Sequence, residues 1–541
     1  MAEYTIDFNR GNDSNDGITA PWKNLSKLAG TFANGDIVIL DDESTWDFAI
    51  DGRQVLGTLN TRFTLTRSGT NGSQKPTLRR KPEVAAGSWT YDVGNNGWYY
   101  DIGFVPGVMT GMILGGEHWA QRQEAALPLT TADYCWKESG NRVYLYAPAG
   151  QDPTTYYGGV VMCSGDRGLL TFSGDGNDVL VDGIAFDDYG LGILLYANTG
   201  VRQYTVRNCE TNGGKLVHVN TDTAGTLTAI IEYNRCRIAP CAFIQTLGSV
   251  GQGKHIIRYN DLATCNLGYP QGAIYLQNRD AGALVYGNLI EDAKWGSPYH
   301  TIDGCAIYTE TGTNNTVVFG NRVRNCHVAF QDNSGRTSTW TGNVVENCWA
   351  AMRVGDEQGN NATKHRFLNN TCINMAYPIP PYGPTTASGI GWRTIDLTSD
   401  DYTIANNIFT KYPGSSDAQP AIETPESAAG GSSIANNLIY GFDATVQNYL
   451  GGAASPTPTG TLTDDPLLDA SYRPRAGSPC LEAGTRIADV VLKDFYGKDI
   501  TKTPDIGAVQ VYPARAASAA RGVITRSAST RTASGRRAAY G

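Results

Sequence analysis

The chain has 541 residues, 18% of them charged and 41% hydrophobic, with 29 tyrosines, 10 tryptophans and 63 glycines, a composition that builds an ordered, turn-rich protein and excludes disorder along its length. A formal charge of −9 excludes nucleic acid as the main partner, because phosphate binding needs a basic face. No apolar run of about 18 residues is present, so no membrane-spanning helix is expected, and the start Met1-Ala2-Glu3-Tyr4-Thr5 lacks the basic and apolar regions of a secretory signal.

Residues 1–83 read as a cap and the first strands. A turn-rich run from Gly11 to Gly17 precedes Pro21-Trp22-Lys23, and Gly35-Asp36-Ile37-Val38-Ile39 then alternates as a strand does. The run from Asn12 is only partly like a calcium loop, since its twelfth residue is Lys23 rather than an acid, so it is read as a turn. Residues 84–160 are rich in Trp and Tyr and end in Arg142-Val143-Tyr144-Leu145-Tyr146-Ala147-Pro148, which alternates like an antiparallel strand. This region is read as a small β-rich insertion.

Residues 161–445 repeat one short phrase, two or three β-prone residues followed by Asn or Gly and another apolar pair. Its markers are Gly183, Asn208, Asn234, Asn260, Asn288, Asn321, Asn343, Asn370, Asn407 and Asn437, with spacings of 25, 26, 26, 28, 33, 22, 27, 37 and 30. Ile230-Ile231-Glu232-Tyr233-Asn234 and Val317-Val318-Phe319-Gly320-Asn321 show the strand context, and second strands such as Cys305-Ala306-Ile307-Tyr308 follow. No stretch with helical 3.6 periodicity competes. Short strands at this period predict an all-β solenoid in which each repeat is one coil about 4.8 Å above the last. Its stacked Asn side chains should bond along a ladder and tolerate a left-handed turn.

The 11 cysteines, an odd number without Cys-x-x-Cys pairs, indicate neither a zinc site nor a disulfide framework. Cys265, Cys326 and Cys348 each lie five residues after a marker Asn, which predicts one interior column of buried thiols. Residues 446–513 read as a closing segment. Residues 514–541 carry six arginines and no acid among Ala, Ser and Thr, and are read as a disordered basic tail, either merely solubilising or ordering against an acidic partner such as another protein or a neighbouring subunit.

The region 179–445 resembles the right-handed parallel β-helix superfamily, which includes pectate lyases, polygalacturonases, alginate and chondroitin lyases and phage tailspikes. The flanks carry the resemblance outward, through Tyr4-Thr5-Ile6-Asp7 and the Gly11–Gly17 turn at one end and Asp465-Pro466-Leu467, Tyr472-Arg473, Gly477-Ser478-Pro479 and Pro504-Asp505-Ile506-Gly507-Ala508 at the other. It implies a right-handed parallel β-helix of about a dozen coils. It also implies a tailspike-like homotrimer in the virion that binds and depolymerises a bacterial surface polysaccharide, with other virion proteins as further partners through the tail. A secreted, extracellular bacterial polysaccharide lyase or hydrolase and a non-catalytic virion fibre or decoration protein are the alternatives. No cofactor is implied.

Aligning the second strands puts Gln245, Gln277, Glu310, Asp332 and Arg353 on five successive coils, interleaved with Tyr275 and Tyr308. Glu310 and Asp332, about 5 Å apart on adjacent coils, would be an acid–base pair with the retaining-glycosidase spacing. Arg353, Gln277, Gln245 and Tyr308 would contact substrate. The 33-residue repeat inserts a loop carrying Trp295, Tyr299 and His300, a stacking platform for sugar rings. Glu310→Gln and Asp332→Asn are each expected to cut depolymerase activity about a hundredfold or more while leaving the melting temperature nearly unchanged. Elimination on a uronic acid is the other chemistry, with Arg353, Arg336 and Arg393 as neutralising cations. Asn220-Thr221-Asp222 matches one polygalacturonase motif, but its Gly-His-Gly and Arg-Ile-Lys partners are missing, so it is read as a chance match. His218 and His327 lie in strands and are read as structural, and no histidine has metal-ligand spacing.

Overall fold

Each repeat forms one turn of a solenoid with a short strand on each of three faces. A computed structural model describes residues 1–512 apart from 31, 49–53, 57–61, 70–73, 81–82, 103–108, 116–117, 120, 123–126, 130–134, 165–167, 173–177, 189, 197–201, 222–226, 240, 249–254, 266–271, 279–281, 294–304, 311–312, 314, 333–336, 355–364, 378–394, 398–401, 416–419, 425–431, 449–455 and 489. Among the described residues, three parallel sheets contain 13, 12 and 12 strands. Sheet I runs from Glu3–Ile6 to Ser433–Ala435, sheet II from Thr45–Asp47 to Leu438–Tyr440, and sheet III from Gln54–Leu56 to Ala444–Asn448. Every strand in them pairs with its counterpart one coil away, which makes the molecule a right-handed parallel β-helix.

The core is narrow and continuous because each sheet turns one residue in two inward. In sheet I the inward column reads Ile231, Ile257, Val285, Val318, Trp340, Phe367 and Ile404 in register, all buried in one cluster. Burying each such aliphatic side chain contributes about 1.5–3 kcal/mol. The expected cysteine column is present at the far end of sheet II. Cys265 pairs with Ala293, whose N–H donates to Cys326 Sγ at 3.3 Å, and the Cys326 N–H donates to Cys348 Sγ at 3.4 Å. The cysteines whose side chains are described are buried thiols, and burial pushes the Cys209 thiol up to about 12.

At the corner between sheets I and II, Asn234, Asn260, Asn288, Asn321, Asn343, Asn370, Asn407 and Asn437 form a buried ladder. From Asn260 onward each Oδ1 accepts from the backbone N–H and the Nδ2 of the Asn one coil earlier, as Asn321 Oδ1 does from Asn288 at 3.1 and 2.9 Å, while Asn234 Oδ1 accepts from the Cys209 N–H at 2.9 Å. Asn321 Nδ2 in turn donates to Val285 O at 2.9 Å and Asn343 Oδ1 at 3.0 Å.

The left-handed residue is not the ladder Asn but the one before it. Tyr233, Tyr259, Gly287, Gly320, Gly342, Asn369, Asn406 and Asn436 all have positive φ. Gly183 and Asn208 hold this earlier position in their own coils, so those two markers stand one residue out of the ladder. Asn321→Ala strips partners from its neighbours, and each buried group left unpaired costs about 1–3 kcal/mol. Its urea midpoint is expected to fall clearly, and an unchanged midpoint would show that the ladder contributes nothing.

Between Thr77–Arg80 in sheet II and Gly168–Phe172 in sheet III the chain leaves the solenoid. There Arg142–Leu145 pairs antiparallel with both Cys135–Ser139 and Gly97–Asp101, and Met109–Leu114 lies antiparallel to Val160–Ser164. These strands enclose their own cluster around Trp136, Met112 and Val160, which is the β-rich insertion expected from the alternation. Towards the other end, residues 456–512 fold back along the I–II corner. Phe495 O lies against Gly320 and Lys493 O against Gly342, where a Cβ would collide and where φ is already positive. Asn369 Nδ2 donates to Asp505 O at 3.0 Å. The basic tail, 514–541, lies outside the described residues. Among the described residues no helix is long and apolar enough to cross a membrane.

Candidate functional site on the outer face of sheet III

Sheet III turns Ile274, Leu276, Ile307 and Phe330 into the main core. The alternate positions therefore point outward, and strand register stacks them as Leu194, His218, Gln245, Tyr275, Tyr308, Gln331 and Arg353. Several of these face away from the core yet are buried, among them His218, Gln245, Tyr275, Tyr308 and Gln331. Tyr275 and Tyr308, with ring centroids 5.1 Å apart, form a second cluster with Ala242, Cys305, Val328 and Trp349. Buried polar side chains on an outer face are unusual, because such positions normally meet water.

The expected stripe is only partly assembled. Gln245, Tyr308 and Arg353 share the outward column, while Gln277 and Glu310 stand two residues further along their strands, also outward. Glu310 remains in the ladder through its N–H, which donates to Leu276 O at 2.7 Å. Its carboxylate accepts from the Tyr275 hydroxyl, and Thr313 Oγ1 donates to its carbonyl at 2.6 Å. Glu310 is half-buried. Trp295, Tyr299 and His300 lie outside the described residues.

Asp332 is not on this face. It pairs in register with Thr309 and Val354, so it points inward while Gln331 points outward, and one residue of register reverses the face. It is fully buried, with Oδ2 2.9 Å from His365 Nδ1 and accepting from Ser338 Oγ. Ser338 Oγ is itself 3.2 Å from His365 Nδ1 and accepts from Trp340 Nε1 at 3.1 Å. Burial raises the Asp332 pKa, but the charge of His365 and hydrogen bonds from His365, Ser338 and Thr309 outweigh it and hold the carboxyl below its usual range. Glu310 and Asp332 therefore lie on opposite sides of one sheet, and the paired-carboxylate geometry expected of them does not form.

Two residues that the sequence reading left out belong to the face. Lys215 is buried and its Nζ donates to Gln245 Oε1. His218, three residues on, is buried in the outward column, and neither ring nitrogen is bonded among the described residues. Burial first, then the charge of Lys215, pushes its pKa well below the ordinary histidine value. The available signal was a lysine and a histidine flanking Val217 and Val219, both core residues, in a strand otherwise built for burial.

A second concavity, about 630 Å³, lies on sheet II between Gln74 and Arg237. Three of its four cations are paired, with Lys75 Nζ 2.6 Å from Glu210, Arg79 Nε 3.5 Å from Asp187 and Arg237 on Asp261 at 2.5 Å. That pairing gives Lys75, Arg79 and Arg237 a structural role. Among the described residues no three His, Cys, Asp or Glu side chains gather to hold a metal ion.

No protein-family model matches the chain, and no curated protein matches it. Solved structures similar to it include XylC in complex with xylose, with 13% identity, 94% of this chain and 98% of that chain covered and a TM-score of 0.47. A GH136 lacto-N-biosidase from Eubacterium ramulus follows, with 12% identity, 81% and 68% covered and a TM-score of 0.44. The pectate lyase Pel9A has 11% identity, 95% and 97% covered and a TM-score of 0.35.

Proposed function

We propose that the chain binds a polysaccharide along the outer face of sheet III and cleaves it beside Glu310. The observation that carries this reading is the column of buried polar side chains facing away from the core, from His218 through Gln245, Tyr275 and Tyr308 to Gln331. Gln277, Glu310 and Arg353 on the same face are partly exposed and offer partners to sugar hydroxyls. The contact between the Tyr275 hydroxyl and Glu310 joins a proton acceptor to a proton donor, the minimum for general acid–base catalysis. Arg353, two coils from Tyr308, is the substrate contact at the other end.

Incubation with purified bacterial capsule and lipopolysaccharide tests the reading. New reducing ends with the ultraviolet absorbance of an unsaturated uronate indicate elimination, and reducing ends without it indicate hydrolysis. Retention without new ends leaves a binding protein, and neither retention nor cleavage of any polysaccharide overturns the reading.

The finer assignment is a phage tailspike, a homotrimer whose basic tail at 514–541 docks on other virion proteins. A secreted bacterial depolymerase and a non-catalytic fibre remain the alternatives to it. Light scattering is expected to give about three times the 58.1 kDa chain mass, and a monomeric mass at micromolar concentration would remove the trimer.

A further inference from the structure

We propose that Lys215, His218 and Gln245 form a subsite for an oxyanion carried by the saccharide, so that the ligand is an acidic glycan. This rests on the polysaccharide reading of the same face and adds the substrate class.

Lys215 is 4% exposed, and the one hydrogen-bond partner of its Nζ among the described residues is the neutral Gln245 Oε1. A buried cation is stabilised by a carboxylate or by several acceptors, and one amide oxygen leaves most of its desolvation uncompensated. Other cations in the fold follow the ordinary rule, with Arg67 on Asp42, Arg258 on Glu232 and Lys502 on Asp505.

His218 supplies the independent observation. It is 7% exposed, it stands in register with Gln245 on the next coil, and both ring nitrogens lack a partner among the described residues. Held neutral by burial and by Lys215, its ring offers one donor and one acceptor. A carboxylate or sulfate group would give Lys215 an anionic partner, which none of the described residues supplies, and accept from one histidine nitrogen, while a neighbouring hydroxyl donates to the other. Leu194 precedes His218 in the column on one side and Tyr275 follows Gln245 on the other. Glu310 lies three coil steps away, about 14 Å at 4.8 Å per step, so the subsite selects a sugar along the chain and takes no part in bond cleavage.

The test uses the full chain and Lys215→Met, which keeps the length of the side chain and removes its charge. Thermal midpoints are measured with D-glucuronate, glucose 6-sulfate and glucose, and retention is measured on immobilised alginate and dextran. The wild-type midpoint should rise with glucuronate or with the sulfate and not with glucose, the stronger response identifying the anion. Lys215→Met should lose that rise entirely while its midpoint in buffer equals or exceeds the wild-type value, because an unpaired buried charge has been removed.

Equal responses to glucose and the anions, no response to either anion, or an anion response that survives in Lys215→Met would overturn the subsite. A variant midpoint below wild type would assign Lys215 to the fold instead. Retention on dextran but not alginate would sink the subsite and leave the polysaccharide reading standing. An anion response lost in Lys215→Met, with no polymer retained or cleaved, would do the reverse.

Discussion

Asp332→Ala is expected to destabilise the solenoid by about 3–5 kcal/mol, the scale of removing a buried carboxylate from the hydrogen-bonded partners it leaves behind. The substitution leaves His365 and Ser338 facing each other inside the core without their acceptor, and His365 already has an unbonded Nε2. It also lines a void of only about 10 Å³, room for at most one water. Because the folded-state pKa of Asp332 is lowered, its contribution is fully present above the unfolded carboxylate value of 3.8. That contribution is lost as pH falls below this value and through the folded one. The gap in urea midpoint between wild type and Asp332→Asn should therefore be widest near neutrality and close in acid. A gap that stayed constant from neutral to acid pH, or no gap at all, would contradict this role. Any loss of activity in Asp332→Asn should follow its loss of fold, which reverses the expectation drawn from the sequence.

Glu310→Gln is expected to reduce cleavage by about a hundredfold or more with little change in the melting temperature. The side chain is half-buried on the outer face, and glutamine keeps its size while removing the proton-accepting charge. Tyr275→Phe should behave similarly, since the ring stays packed against Tyr308 and only the hydroxyl bonded to Glu310 is lost. The kinetic signature of a transition-state role is an equal fall in kcat and kcat/KM. A rise in KM with unchanged kcat would make the pair a binding contact instead.

Much of the fold was legible because a solenoid repeats one residue type at one position per coil. Asn260, Asn288 and Asn321 announce the ladder and Cys326 and Cys348 the interior column, since each contact joins residues that recur at the repeat spacing. The ladder begins only at Asn234, because Gly183 and Asn208 answer the different need for a left-handed residue one step earlier.

The site was harder to read because strand register decides which way a side chain faces, and polarity alone misplaced Asp332. Phe330 and Asp332 both point inward, an arrangement stabilised by His365, 33 residues away and on another sheet. Apolar alternation around Phe330 and Gln331 would have carried the information, had the inward aspartate not resembled an outward one. Lys215 and His218 were passed over for the complementary reason. Their strand reads as buried, and only the register of His218 with Gln245 and the bond from Lys215 to that amide show that they face outward.

A crystal structure of the full chain with the longest oligosaccharide it retains tests the central claim most directly. The account predicts density along the outer face of sheet III, with a sugar within hydrogen-bond reach of Glu310 and another at Gln245 and Lys215. Density confined to the sheet II concavity beside Lys75 and Arg235, or to the I–II corner beside Tyr233 and Tyr259, with sheet III empty, would contradict it.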